Sequence, residues 1–352
     1  MTAKAMNVPG SISAEHIFCS LQKAKATLRA MLCLGALTLT ASCSENASDM
    51  EVPEQTLPCR ADRVYPTPER PLLGMRWIPA GSAAMGTHPV YPEEQSQKIS
   101  KTEGFWMSPY ETTTEQFSRF IRATGYVTTA ERQLDPSANP MSDENLLRPG
   151  GAVFVAPVET GQSPASWWRF IAGANWANPK GDSSDAPSDD LRLFPVTQIS
   201  IEDAKAYADW LGHQIPTEDE WEYAAIGGAV DSRYPWGNEP NVDDRPQANH
   251  WQGLFPTQNS GLDGFHGVAP TGCFPPNGYG LFDMVGNVWE LVDTSYSPVR
   301  DRPASNRLAT IKGGSYLCAD NFCGRFRPSA RQPVERELTT NHIGFRTVVR
   351  PK

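Results

Sequence analysis

The run Pro275-Pro276-Asn277-Gly278-Tyr279-Gly280-Leu281-Phe282-Asp283-Met284-Val285-Gly286-Asn287-Val288-Trp289-Glu290 decides how this chain is read. Glycine and proline punctuate it, and both favour turns over long regular elements. The whole chain shares the habit, with 28 glycines and 31 prolines in 352 residues. That is rich for a helical protein and below the range of a disordered one. Many turns and long ordered loops are expected. Ten tryptophans and ten tyrosines suit packed loops or a binding cleft, although core packing accounts for most aromatic residues.

A second stretch follows it: Lys312-Gly313-Gly314-Ser315-Tyr316-Leu317-Cys318-Ala319-Asp320-Asn321-Phe322-Cys323-Gly324-Arg325-Phe326-Arg327. Two cysteines spaced Cys-x4-Cys sit between a Gly-Gly turn and three arginines, Arg325, Arg327 and Arg331. Paired thiolates are soft ligands that suit Cu(I), or they form a redox disulfide. Nearby arginines favour the thiolate by opposing its charge. The spacing alone also fits a structural disulfide or half a zinc site.

The net charge is −9, which argues against a general nucleic-acid binder. Residues 1–43 read as an export signal. Lys23, Lys25 and Arg29 precede the apolar run from Ala30 to Leu39, and Thr40-Ala41-Ser42-Cys43 follows. The run is too short for a permanent membrane span. Small residues before a cysteine suggest a lipoprotein signal with lipid on Cys43. Ordinary cleavage with Cys43 as a bystander is the alternative. The length of the segment before Lys23 leaves a start further in, such as Met6, open. The expected location is extracytoplasmic, as a membrane-anchored lipoprotein facing the periplasm or the cell exterior. Residues 44–72 are polar and proline-rich and read as a tether, and 73–352 as the folded domain. Removing the signal takes Cys19 and Cys33, and lipid would occupy Cys43. Of the four cysteines left, Cys59–Cys273 is proposed as a structural bridge and Cys318 with Cys323 as the working pair.

Three helices are predicted from caps and apolar spacing. The first starts at Thr113 or Thr114 and stops at Gly125. The second runs from the Ser200–Asp203 box to Gly212, and the third from the Thr217–Glu220 box to Gly227-Gly228. Short strands are predicted over 75–78, 105–107, 152–155 and 345–349. Long loops are expected over 135–151 and 178–190, and such loops serve function or need bracing. The class is α+β, with few helices, small antiparallel sheets and much irregular backbone.

These motifs resemble, in order, those of the formylglycine-generating enzymes, or sulfatase-modifying factors. The matching segments include Ile78-Pro79-Ala80-Gly81, Tyr110-Glu111-Thr112, Trp167-Trp168, Gly173-Ala174-Asn175-Trp176, Pro216 through Ala224, Asn249-His250-Trp251-Gln252-Gly253, the opening run, the cysteine pair and Ile343-Gly344-Phe345-Arg346. The resemblance implies that family's loop-rich variant of the C-type-lectin fold. It implies an oxidase that converts the cysteine of a sulfatase Cys-x-Pro-x-Arg motif to Cα-formylglycine with molecular oxygen and Cu(I). Cys318 and Cys323 would hold the copper and leave room for the substrate thiol. Ser315, Trp289 and Arg325 match positions lining the family's active site. Ser315 is expected to make a polar contact near the metal or oxygen, and Arg325 to hold an anionic or peptide group. The bland reading for both is packing or a surface salt bridge. Two calcium sites are implied as well, one from Asn249, His250, Asp263 and Phe265, the other from Asp283, Gly286, Val288 and Glu290. Hard oxygen donors of this kind suit Ca²⁺.

The chain departs from relatives in several places. Ala208, Ala224, Pro328 and Thr347 stand where some carry two further disulfides. Ala319 and Phe322 replace His and Tyr near the metal cysteines, and Leu291 replaces a Trp. The expected partners are unfolded or nascent sulfatase polypeptides, oxygen and a membrane, with no nucleic acid. The alternatives are a non-catalytic envelope lipoprotein using the same fold for binding or assembly, and a thiol–disulfide enzyme built on the same two cysteines.

Overall fold

Each helix begins at a residue whose side chain caps it. Thr113 accepts the Gln116 amide ahead of α1 (Thr114–Thr124). Ser200 accepts the Asp203 amide ahead of α2 (Ile201–Leu211), and Thr217 the Glu220 amide ahead of α3 (Glu218–Ile226). In all three the side chain of the third helical residue returns a bond to the cap, which satisfies amides that the first turn leaves open. The helices stop at Gly125, Gly212 and Gly227. These are the caps and stops expected from the sequence.

The computed structural model describes Cys59 and residues 63–351 apart from 97, 135–146, 158–160, 162, 182–188, 301, 303 and 305. The chain divides into residues 1–52 and 53–352, and all the described residues belong to the second unit. The export signal, Cys43 and most of the tether lie outside the described residues, as does much of the two long loops. No helix among the described residues is long and apolar enough to cross a membrane.

Docking begins before residue 73. Cys59 is bonded to Cys273, which leaves Cys318 and Cys323 free. Arg63 donates to the hydroxyl and carbonyl of Thr271 and lies 4.4 Å from the Tyr110 ring centre. The proline-rich stretch expected to be tether up to residue 72 is thus fastened to the domain from Cys59 onward.

The strands are short: β1 (Arg76–Ile78), β2 (Gly81–Ala84), β3 (Ile99–Thr102), β4 (Phe105–Met107), β5 (Gly150–Phe154), β6 (Trp168–Ala172), β7 (Asn241–Val242), β8 (Arg245–Pro246), β9 (Trp289–Ser295), β10 (Leu308–Lys312), β11 (Arg331–Glu335), β12 (Ile343–Gly344) and β13 (Val348–Val349). One sheet has the order β1-β4-β13, and a larger one β11-β10-β9-β12, in which β12 runs parallel to β9. The rest pair as two-stranded ribbons. The strand expected over 345–349 shrinks to β13, because Phe345 to Thr347 leave the β9 sheet and cross toward β4.

Two apolar clusters flank this framework. Phe117 and Phe120 of α1 meet Tyr207 of α2 at 5.8 and 5.7 Å, and Phe345 closes on Tyr207 at 5.4 Å. The other cluster packs Trp221 and Ala224 of α3 against Phe105, Met107 and Val292. Because α3 is buried on several faces, its acids need partners inside the protein. Glu222 accepts from Lys312 at 2.7 Å, Arg300 at 2.8 Å and the Gly86 amide at 2.6 Å. Glu218 accepts two bonds from Arg331, at 2.7 and 3.1 Å. Lys312 ends β10, so this ionic layer lies directly behind the cysteine loop.

Candidate active site

Gly313 and Gly314 turn the chain sharply out of β10, with φ of +91° and +82°. A Cβ at Gly314 would stand 2.6 Å from the Arg325 carbonyl oxygen, so only glycine lets the two ends of the loop approach this closely. Between them the backbone winds in tight turns. The Cys318 amide donates to the Ser315 carbonyl at 2.8 Å, and the Cys323 amide to that of Ala319 at 2.9 Å. The two sulfurs come to 3.2 Å of each other. That is well beyond the roughly 2.05 Å of a disulfide, and near enough for one ion to touch both.

Cys318 is 1% exposed and Cys323 9%. Their environments split their acidities. The bond from Cys318 holds the Cys323 thiol down at about 7 against the pull of burial, and the Arg325 guanidinium adds to the effect. Burial pushes Cys318 well up, reinforced by its neighbour's charge. Cys323 is therefore the readier of the two to ionise, with Cys318 as its hydrogen-bond donor. Of the three arginines noted in the sequence, Arg325 alone lines the cavity here. Arg327 is buried on Glu94 at 2.7 Å and Arg331 on Glu218. Arg325 is itself held, bonded to Glu93 at 2.6 Å and lying 3.5 Å over the Tyr91 ring.

The sulfurs lie at the wall of a cavity of about 600 Å³. Its lining brings together four of the predicted site residues, Cys318, Cys323, Ser315 and Arg325, with the fifth, Trp289, from the start of β9. Ser315 is fully buried. Its amide points at the Cys318 sulfur at 3.5 Å and its hydroxyl accepts from the Leu317 amide at 3.3 Å. The other wall is aromatic, built from Phe154, Trp167, Trp168, Phe255 and Phe322. Phe255 stacks on Phe322 at 4.6 Å, and Trp167 meets both rings edge-on. His342 also lines the cavity and did not emerge from the sequence. Burial pushes its pKa down to about 3, so the ring is neutral, with Nδ1 2.6 Å from the Thr340 hydroxyl. Its only sequence signal is its place next to the quoted Ile343-Gly344 pair.

The implied calcium ligands fall into two buried loops. Among the described residues no three His, Cys, Asp or Glu side chains converge as metal ligands. A cation here must therefore draw on carbonyl and amide oxygens as well. In the first loop Asp263 accepts from the amides of His250 (3.1 Å) and Phe265 (2.9 Å), while burial pushes its pKa up with no arginine or lysine among the groups that offset it. A buried carboxylate so placed fits a hard cation. Asn249 directs its amide nitrogen to the Gly267 carbonyl and to Asn287. In the second loop burial pushes Asp283 up to about 6, with Glu290 adding to the rise, and Glu111 beside it is raised well above its ordinary value. Glu290, however, has both oxygens on Arg346 at 2.7 Å and one also on Trp221 at 2.8 Å. The second set fits through Asp283 and the backbone carbonyls, with Glu290 already neutralised.

A sulfatase-modifying factor enzyme 1-like domain matches residues 61–351. The chain belongs to this family. It is 42% identical to a formylglycine-generating enzyme of Mycobacterium tuberculosis over 78% of this chain and 97% of that protein. It is 37% identical to the mouse formylglycine-generating enzyme, over 76% of this chain and 73% of that one. A mouse relative named inactive Cα-formylglycine-generating enzyme 2 is 33% identical over 76% of this chain and 83% of its own length. The solved structure of PvdO from Pseudomonas aeruginosa shares the fold, with a TM-score of 0.55, 22% identity, and coverage of 79% of this chain and 94% of that one. Few helices, small sheets and abundant loops are thus the family's architecture, and its members include both active and inactive proteins.

Proposed function

We propose that this chain is a formylglycine-generating enzyme. It oxidises the cysteine of a sulfatase Cys-x-Pro-x-Arg segment to Cα-formylglycine, using molecular oxygen and one Cu(I) held by Cys318 and Cys323. The observation that carries the reading is the pair of free, buried sulfurs 3.2 Å apart at the wall of an aromatic cavity. A structural pair would be bonded, and a binding module has no use for a free dithiol in a cleft.

Copper, when bound, supplies the one-electron chemistry that activates oxygen, which no side chain here provides. The chain supplies position and proton balance. Cys323 gives up its proton more readily than Cys318, so it would be the first of the two to ligate. The aromatic wall takes the apolar part of an extended peptide and keeps water from the sulfurs. Ser315 fixes the loop through its contact with Cys318, and Arg325 opposes the charge that gathers as an incoming thiol arrives. His342, neutral across the working range, offers a hydrogen-bond partner rather than a charge.

Both calcium loops are proposed as structural braces. Partners are unfolded or nascent sulfatase polypeptides, reached from the outer side of the inner membrane, with the chain anchored through lipid on Cys43. The Cys59–Cys273 bridge supports that location, since disulfides persist in oxidising compartments.

The decisive experiment incubates copper-loaded protein, oxygen and a thiol reductant, which supplies the two electrons that reduction of O2 to water needs beyond the two the cysteine gives, with a sulfatase-motif peptide and follows its mass. Conversion turns the CH2SH group of the target cysteine into CHO, with loss of two hydrogens, departure of the sulfur as sulfide and gain of one oxygen, and Cys318→Ser and Cys323→Ser abolish it. A copper-bound protein that leaves the peptide unchanged would favour the non-catalytic reading that the inactive relative represents. Disulfide exchange without oxygen uptake would favour the redox one.

A further inference from the structure

We propose that Gln252 is a ligand of the cation at the first calcium loop, and that this cation, through residues 249–253, holds the cysteine loop in place. The inference rests on the calcium reading above and adds to it a ligand and a consequence.

Gln252 reaches two of the four implied ligands. Its amide nitrogen touches the His250 carbonyl oxygen, lies 2.7 Å from Asp263 Oδ2 and 3.4 Å from His250 Nδ1. The Asp263 amide reaches back to Gln252 Oε1 at 3.3 Å. Two acceptor atoms, the His250 carbonyl and an oxygen of the Asp263 carboxylate, 3% exposed, thus converge on one primary amide, while His250 Nδ1 donates to the Ala248 carbonyl. Without a metal, the amide hydrogens are the positive charge that this pocket receives. With a hard divalent ion between His250 O and Asp263, a rotation of the amide turns Gln252 Oε1 inward as a further oxygen donor. The amide's two ends are nearly isosteric, so the rotation needs no extra room. Calcium takes 6 to 8 oxygens, and the residues implied by resemblance alone leave room for this one.

The same segment grips the cysteine loop. The Trp251 amide donates to the Cys318 carbonyl at 2.9 Å. The Asn321 side chain donates to the Gly253 carbonyl at 2.9 Å. The Trp251 ring packs with Tyr316, Leu317 and Ala319, and the His250 ring stacks 4.3 Å from Phe326. Contacts therefore reach the loop before, between and after its two cysteines. An ion that fixes His250 and Gln252 fixes Trp251 between them, and with it the backbone of Cys318.

Two binding measurements test this without any turnover assay. Calorimetric Ca²⁺ titration of chelator-treated, copper-free protein should show Gln252→Ala weakening one class of site by about tenfold, with Gln252→Glu restoring or tightening it. Cu(I) affinity, measured by competition with a chromophoric Cu(I) chelator, should fall severalfold when Ca²⁺ is withdrawn. It should fall likewise in Gln252→Ala at low Ca²⁺ and recover at high Ca²⁺. Unchanged Ca²⁺ affinity in Gln252→Ala, or no Ca²⁺ binding by the unaltered protein, overturns the ligand. Cu(I) affinity indifferent to Ca²⁺ overturns the coupling. Loss of peptide conversion with both results intact would indict the proposed reaction instead. Should Gln252→Ala not fold, Gln252→Glu and Gln252→Asn carry the same comparison.

Discussion

Two neighbouring regions handle burial in opposite ways. Behind Gly313, the ionic layer of Glu218, Glu222, Arg300, Lys312 and Arg331 pairs each acid with at least one base. In front of it, Cys318 and Cys323 lie 3.2 Å apart and face a cavity, with Arg325 beside them. A layer whose acids are all paired with bases holds its charges among themselves, whereas an under-satisfied pair of sulfurs facing a cavity is open to a ligand. The two glycines that separate the regions allow the chain to pass from one regime to the other within a few residues. Stability is thus concentrated in the rear layer and reactivity in the front.

The sharpest way to break this division is to perturb each side and measure the same quantity. Glu222→Gln removes the nearer of the two buried carboxylates that Lys312 and Arg300 share, leaving Glu218 at 3.6 and 3.5 Å. Losing one partner of such a cluster costs about 3–5 kcal/mol, read as a fall in the urea midpoint at constant m. Cys318→Ser should move that midpoint by about 1 kcal/mol or less. Equal losses from both variants would erase the distinction.

The rear layer also sets an acid limit. Burial alone would raise Glu222, yet Lys312 and Arg300 outweigh it and hold the carboxyl at about 2, below its ordinary 4.5. A group depressed on folding stabilises fully above its unfolded value. Its contribution is lost as pH falls through its folded one. Unfolding free energy should therefore decline from about pH 4.5 toward 2, and more shallowly in Glu222→Gln. A variant with the full wild-type slope would show that other carboxylates set the limit.

Much of this contrast could be read from residue types, and the part that could not has a physical reason. Helix starts were legible because capping is local, with Ser200 and Asp203 meeting within one turn. The Cys59–Cys273 bridge was legible from the even count of cysteines left once an export signal and a lipid-bearing Cys43 are assumed. The sheet that carries the site, β9 to β11, was not. Trp289 to Val292 are all buried, so no in–out alternation marks the strand, and Lys312 and Arg331 look like surface residues until Glu222 and Glu218 are seen beside them. For the same reason the three arginines near the cysteines read as one group. Their carboxylate partners lie 113 to 233 residues earlier in the chain, at Glu93, Glu94 and Glu218, and only folding assigns Arg325 to the front and Arg331 to the rear.

That assignment yields the smallest effect and the most discriminating one. If Arg325 belongs to the reactive side, its charge should be felt by the thiols and hardly at all by the fold. The Cys323 thiolate is favoured first by the bond from Cys318 and then by the guanidinium, giving a value of about 7. Arg325→Gln removes the second influence and leaves the first. The pH midpoint of alkylation of the copper-free pair, followed by mass spectrometry, should rise by about half a pH unit. Glu93→Gln, which frees the guanidinium from its 2.6 Å partner, should shift it the other way or leave it in place. The urea midpoint should stay within about 0.5 kcal/mol for Arg325→Gln, because a partly exposed ion pair contributes little. A large loss of stability with no change in the alkylation midpoint would move Arg325 to the structural side of the boundary, and the thiolate would then owe its charge to Cys318 alone.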